Sequence, residues 1–470
     1  MQKFRFIYKY IVTFANRLFS RLFSSKNKFE LVLLLVFSAF IGLFIWFGLN
    51  YSPSFFKPVI KQGIIGTYTE NDLPEMATRL LSTGLVIIDK SGLPQPDLAA
   101  SWESTSEGKV YKVTLKDNLA WADGTAIKAG DFSVPFKENV QQKVLDDKTI
   151  EYTLPDSFAP FPTLLNRQVF KTGSWVGTGP YKITRVRKDG IFVKELIMDS
   201  DNKVLPRVVM RFYPNEKTAK NALKLGEIQA LMGVTEPGEM ASERIYKLKY
   251  HTNYQQLVTV FFNTADPVLS DENLRAAMGY AAPSIANEAE AKTPISPNSW
   301  AFNTQVRDYL GNPDAAQASF KKVQNKEKLK ENQIVLTTTP ALQSIGDQII
   351  VEWQKLGLNV VLRVESGVPQ NFQALLITNN IPADPDQYAL WHSTQAQTNI
   401  SKVSSPRIDK DLEDGRKVQD LEVRKARYQD FQRVLLEQSP AVFMYFPKYN
   451  ILYMKKVEAQ LQELINLQFR

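Results

Sequence analysis

Nineteen consecutive residues, Leu31–Leu49, carry no charge, and fourteen of them are Leu, Val, Ile or Phe. A run apolar on every side has no solvent-facing stripe to offer as a surface helix. On the insertion scale those fourteen residues contribute about −4 to −8 kcal/mol towards spanning a bilayer. As a helix the run would be about 28 Å long, close to the hydrocarbon thickness of about 30 Å. Trp46 and Tyr51 fall where an interfacial aromatic belt would lie. A cleavable signal fits less well, because the run is too long and Asn50-Tyr51-Ser52-Pro53 lacks small residues at a cleavage spacing. The reading is one transmembrane signal anchor over residues 31–50.

Charge sets the orientation. Lys3, Arg5, Lys9, Arg17, Arg21, Lys26 and Lys28 precede Glu30 with no acidic residue among them. The positive-inside rule keeps residues 1–30 in the cytoplasm and sends the bulk of the chain outside. Phe4, Ile7, Tyr8, Ile11, Phe14, Leu18 and Leu22 recur at helical spacing, which suits either a basic amphipathic helix on the inner leaflet or a plain basic flank. Setting those seven cations aside from the 57 Lys and Arg leaves 50 against 49 Asp and Glu. The external part is therefore nearly neutral and shows no electrostatic footprint for nucleic acid. The chain has no cysteine, so disulfides, thiolate metal sites, cysteine nucleophiles and a lipidated cysteine are all excluded. Membrane attachment, if any, rests on the polypeptide itself.

Residues 51–62 read as a short linker punctuated by Pro53 and Pro58. Beyond it, strand-like runs at Val110–Leu115, 149–154, 208–212, 257–262 and Ile334–Thr338 alternate with amphipathic stretches at 216–225, 271–282, 341–355 and Leu421–Gln438. That alternation predicts α/β or α+β domains. The stretch 341–355 followed by Val360–Val364 reads as a helix returning the chain to a parallel strand. Catalytic signatures are absent: the two histidines, His251 and His392, lie far apart, and no His-Glu-x-x-His, Gly-x-Ser-x-Gly or complete phosphate loop occurs. Nothing implies a cofactor or a metal, and these residues give no indication of an enzyme.

An ordered set of short motifs then becomes informative. Leu98-Ala99-Ala100-Ser101-Trp102-Glu103 leads to Trp121-Ala122-Asp123-Gly124 and Gly130-Asp131-Phe132. Gly177-Thr178-Gly179-Pro180-Tyr181, Gly226-Glu227-Ile228, Phe262-Asn263-Thr264 and Asn273-Leu274-Arg275-Ala276-Ala277 follow, then Asp384-Pro385-Asp386, Arg424, Tyr428 and Ser439-Pro440. Each is weak alone. In this order they resemble the family-five extracellular solute-binding proteins, the oligopeptide- and dipeptide-binding receptors of ABC importers. The resemblance implies a periplasmic-binding-protein-like fold of type II, with two main lobes around a ligand cleft plus a smaller third lobe, here after one N-terminal transmembrane helix. Carried onto this chain, lobe I would be 60–80, 172–255 and 445–470, lobe II 81–171, and lobe III 256–444. Hinge crossings would fall near 257–263 and 440–445.

The implied function is a monomeric receptor that captures a peptide or similar solute and delivers it to an ABC permease and its ATPase. Other readings are a tethered sensor or scaffold without a transporter, and a receptor for a sugar, a metal chelate or an opine. Candidate ligand contacts are Thr67, Tyr68, Asp384, Asp386, Tyr388, Trp391 and Asn399. Most motif residues read as scaffold: Trp102 and Trp121 suit core packing, and Gly177-Thr178-Gly179-Pro180 suits a turn. Peptide receptors of the family commonly hold the ligand's α-ammonium with an aspartate four residues before a proline. Aligning on Pro385 puts Ile381 there, which implies that the anchor has moved or that the ligand lacks a free amino terminus.

Overall fold

The computed structural model describes residues 36–43 and 57–469, except 135, 137, 138, 307, 325, 327, 328, 330, 331 and 368. The chain divides into two units, Met1–Val59 with Asn202–Pro206, and Ile60–Asp201 with Arg207–Arg470. In the first, residues 36–43 are helical with exposed side chains. Most of the expected span over 31–50, the whole of 1–30 and residues 51–56 of the linker lie outside the described residues. Among the described residues no helix is long and apolar enough to cross a membrane.

The second unit is built on three main sheets. The largest has eight strands: β1 (Val59–Ile65), β2 (Tyr68–Thr69), β9 (Lys182–Asp189), β10 (Phe192–Asp199), β11 (Arg207–Tyr213), β12 (Ala230–Val234), β13 (Tyr246–Thr252) and β20 (Lys448–Met454). Its order is β13-β20-β12-β1-β11-β10-β2, with β9 also paired to β10. β1 and β12 run parallel, Gly63 opposite Leu231. The Glu216–Lys224 helix, capped by the Asn215 side chain on the Thr218 amide, makes the return between β11 and β12.

The six-stranded sheet holds β14 (Gln256–Phe262), β15 (Ala289–Glu290), β16 (Ile334–Thr338), β17 (Val360–Val364), β18 (Ala374–Asn380) and β19 (Ala441–Phe446), in the order β15-β19-β14-β18-β16-β17. β14 and β19 are buried along almost their whole length, and β19 is an unbroken apolar run, because both their faces are covered. Val258, Val260 and Phe262 enter one core with Trp353 and Met278, while Leu257 and Phe261 enter another with Trp391 and Phe431. The Gln343–Lys355 helix carries the chain from β16 to its parallel neighbour β17, with Ile334 opposite Val360. The expected crossover unit is present.

The smallest of the three joins β5 (Ala99–Thr105), β6 (Val110–Leu115), β7 (Gln141–Val144) and β8 (Thr149–Thr153) in the order β5-β6-β8-β7. In β6, Tyr111, Val113 and Leu115 are buried while Lys112 and Thr114 are exposed, the period-two pattern of a half-covered sheet. Trp121 packs edge-on against Phe132 and donates Nε1–H to Asp131 at 3.3 Å, so its motif serves the core.

The same holds for Arg275. It is buried and its guanidinium donates to the carbonyls of Leu269, Ser270, Gln438 and Ser439 at 2.6–3.0 Å. Gln438 and Ser439 end the Leu421–Gln438 helix, whose C-cap Ser439 is left-handed at φ 48°. Carbonyls at a helix end lack intrahelical donors, and the buried cation supplies them.

Candidate functional site

Two segments connect the large sheets. The chain leaves β13 at Thr252 and enters β14 at Gln256, and it returns from β19 to β20 through Pro447. The Asn253 amide donates to the Pro447 carbonyl at 2.9 Å, so the two crossings run side by side. Both lie a few residues from the positions expected at 257–263 and 440–445.

A cleft of about 1170 Å³ opens beside these crossings. Ordinary small-molecule pockets span roughly 300–1,000 Å³. From the eight-stranded sheet come Ile64 and Ile65 at the carboxyl end of β1, Met232 and Gly233 near that of β12, and His251 and Tyr449. The carboxyl ends of parallel strands are where open α/β sheets leave unpaired backbone facing a crevice. Tyr254, Gln255, Ser299, Pro382 and Ala383 face them from the six-stranded sheet and its loops. The third wall comes from the chain leaving the Glu75–Leu81 helix, through Ser82 to Gly92, with Asn166, Gln168 and Thr178.

The glycine turn earns its sequence here. A Cβ on Gly177 would meet the Leu81 carbonyl, and one on Gly179 would stand 2.5 Å from that of Leu80. Only glycine lets this backbone lie against the helix end, where the Gly179 amide donates to Leu81 at 2.8 Å. Thr178 then accepts from the Thr83 amide at 3.2 Å and lines the cleft.

Aromatic rings line the side formed by the eight-stranded sheet. His251 stacks on Tyr449 at 5.2 Å and meets Phe469 edge-on at 4.5 Å. Burial and the Lys249 charge push the imidazole below its ordinary pKa, so at neutral pH it is uncharged. Tyr68 leans on Phe212 at 5.1 Å, with its hydroxyl on the Ile65 carbonyl at 3.2 Å. Burial and then Asp72 raise the Tyr68 pKa.

Of the seven residues singled out from the sequence, Tyr68 lines this cleft and the other six do not. Thr67 is exposed just after Gly66. Pro382 and Ala383 face the cleft, but the chain then turns inward, and the remaining five gather in a polar network behind the wall. Asp384 is buried against Arg424. Its Oδ1 also accepts from the Asp386 amide at 3.0 Å, and Asp386 in turn accepts from the Tyr388 amide at 3.2 Å. Tyr388 stacks on His392 at 4.0 Å, and the Arg416 guanidinium lies 4.2 Å from the Tyr388 ring centre. Trp391 is buried and donates to Gln387 at 2.8 Å. Asn399 donates to the Val403 carbonyl at 2.8 Å. His392 is spent too, on Thr394 at 2.8 Å and Glu413 at 3.1 Å.

This network also meets the small sheet. The Ala159 amide donates to the Arg416 carbonyl at 2.8 Å, and the Tyr111 hydroxyl to Gln419 at 3.1 Å. Nearer the cleft, the Trp300 amide donates to the Ser91 carbonyl at 2.9 Å. No group of metal-ligating side chains occurs among the described residues.

Residues 94–401 match the family described as bacterial extracellular solute-binding proteins, family 5. The chain belongs to that family. The probable D,D-dipeptide-binding periplasmic protein DdpA of Escherichia coli is 21% identical, over 77% of this chain and 81% of its own length. Among solved structures, the substrate-binding protein CtaP of Listeria monocytogenes superposes with a TM-score of 0.71 at 17% identity, covering 85% of this chain and 94% of that one. AppA of Bacillus subtilis, solved in complex with a nonapeptide, gives 0.62 at 18% identity, over 84% and 94%. At these identities the superpositions establish the fold, an α/β periplasmic-binding-protein-like one.

His251, Tyr449, Phe469 and the 82–92 wall were not among the residues expected at the cleft. Only Asn253-Tyr254-Gln255, a polar break between two strand-like runs, signalled that the chain crosses between sheets at that point.

Proposed function

We propose that this chain is the extracytoplasmic receptor of an ABC-type importer, holding a peptide in the cleft between the eight-stranded and six-stranded sheets. One observation carries the reading: a cleft of about 1170 Å³ lies where paired strands cross from one sheet to the other. A ligand there touches both sides at once, so it favours the arrangement in which they are close. The lobes are then 60–80, 172–255 and 445–470 around the first sheet, 81–171 around the small one, and 256–444 around the third. The peptide class is supported by DdpA and AppA, whose names or bound ligand are peptides. The uncharged run at 31–49 supports a tether, with the receptor outside and residues 1–30 inside.

Thermal unfolding of the full chain in detergent, with and without pools of short peptides, tests the reading. At a hundredfold excess over the dissociation constant the folded state gains about 2.7 kcal/mol. Small-angle scattering should report compaction in the same samples. Peptide pools that move neither melting nor shape would leave the binding fold without this ligand class.

A further inference from the structure

Building on the peptide reading, we infer that the cleft selects a peptide without a free ammonium group, blocked at its amino terminus and carrying a free carboxylate. Apart from tyrosines, the ionisable side chains that line it among the described residues are Glu75, Arg79, Asp89, Lys90 and His251. Both carboxylates are already engaged. Glu75 is held by Arg79, whose Nε and Nη2 donate to it at 2.9 and 2.6 Å. An approaching cation therefore meets a neutralised pair. Asp89 accepts from the Ser91 amide at 2.8 Å, the Ser91 hydroxyl at 2.6 Å, the Leu93 amide at 3.1 Å and Gln95 at 2.9 Å. Its carboxylate closes the turn between β3 (Val86–Ile88) and β4 (Pro94–Pro96), and both oxygens are occupied.

The opposite wall supplies no replacement. Ile381, at the end of β18, is buried in the apolar core and gives its amide to the Gln255 carbonyl at 2.9 Å. Its neighbours Pro382 and Ala383 face the cleft without charge. The rest of the polar lining is Ser, Thr, Asn, Gln and Tyr, and His251 adds a neutral ring. An ammonium brought out of water into these walls finds only carboxylates that already have partners, and an ion buried without a partner of its own costs several kcal/mol. A blocked amide needs only the neutral hydrogen bonds that the walls offer.

Lys90 tips the balance further. It is exposed at the cleft, and its ammonium has no ion-pair or hydrogen-bond partner among the described residues. With Arg79 on Glu75, it is the cation of the lining left for a ligand carboxylate among the described residues. An exposed pair of this kind contributes about two- to fivefold in affinity.

Calorimetry on the full chain in detergent, with mixed-sequence pentapeptide pools in four matched forms, tests this. The forms are free, amino-acetylated, carboxyl-amidated, and blocked at both ends. Acetylated pools should bind at least as tightly as free ones. Amidation should weaken binding about two- to fivefold, and Lys90→Gln should erase that difference while the variant melts like the parent. A preference for the free amine of about tenfold or more overturns the inference and leaves the peptide reading standing. An amidation effect that persists in Lys90→Gln removes the role of Lys90. No binding by any of the four forms defeats the peptide reading itself, and this inference with it.

Discussion

Arg424 donates through Nη2 to both carboxylate oxygens of Asp384, at 2.8 and 2.9 Å, and both side chains are buried. Its Nε is committed to the Gly415 carbonyl at 2.8 Å, and its guanidinium lies 5.1 Å from the Trp300 ring centre. Burial raises the Asp384 pKa and Arg424 pulls it back. Removing one partner leaves an uncompensated buried charge, at about 3–5 kcal/mol. Arg424→Met and Asp384→Ala should each lower the unfolding midpoint strongly, and the double variant by less than their sum. The fraction that remains folded should bind ligand with unchanged affinity. A selective loss of binding by a stably folded Asp384→Ala would place the residue in contact with ligand after all.

Arg275 should behave as scaffold in the same sense. Its four carbonyl partners close the end of the Leu421–Gln438 helix against the Glu272–Ala281 helix, and no carboxylate is among them. Arg275→Met leaves those carbonyls unsatisfied in a buried site, at about 1–3 kcal/mol for each orphaned group before relaxation. Urea unfolding should show a loss of several kcal/mol, and Arg275→Lys, with three donors and no planar fork, should recover only part of it.

These residues also mark what was legible in the sequence. Periodicity located β6, β16 and the Leu421–Gln438 helix at their observed bounds, although that helix also buries Arg424 and Gln432. The crossover of β16, helix and β17 followed from length and order alone. The cleft was harder. Asp384, Asp386, Trp391 and Asn399 are polar or aromatic residues of one short stretch, which is how contact residues look in sequence, yet Asp384 and Asp386 face Arg424 and Arg416 from far along the chain, and Trp391 and Asn399 are spent on Gln387 and Val403 close by. The residues that do line the cleft, His251 and Tyr449 among them, sit at ordinary alternating positions at strand ends. Only the crossing of sheets brings them together, and no local pattern encodes which strand ends will meet.

The tether makes a separate prediction. With seven basic residues before Glu30 and an uncharged run to Leu49, the full chain should insert once, uncleaved, with its large unit outside. Protease added to spheroplasts should release a soluble fragment beginning between Tyr51 and Gln62, and the untreated protein should retain residues 31–50. Protection of the large unit from protease, or a mature amino terminus beyond Asn50, would contradict it.

Asp386 supplies the pH dependence. Its side chain is 9% exposed and sits 3.5 Å from Arg416. Burial pushes its pKa up to about 6; Arg416 pulls it down and the neighbouring Asp384 charge adds to the rise. The folded state therefore holds this proton more tightly than the unfolded chain, whose aspartate titrates near about 3.9. The resulting stabilisation is complete below the unfolded value and is lost as pH rises through about 6. At about 1.4 kcal/mol per unit, the loss across that window is up to about 3 kcal/mol. Asp386→Asn keeps an oxygen for the Tyr388 amide and removes the titration, while Arg416, 28% exposed, retains water. Near pH 7.5 the variant should be the more stable protein by about 1–3 kcal/mol. Towards pH 4.5 that advantage should shrink as the parent's carboxyl takes up its proton. Other ionisable groups are common to both proteins and largely cancel in the difference. Urea unfolding of parent and variant at pH 4.5, 6 and 7.5 measures it, and a gap that stays constant across the three would show that Asp386 is held charged throughout.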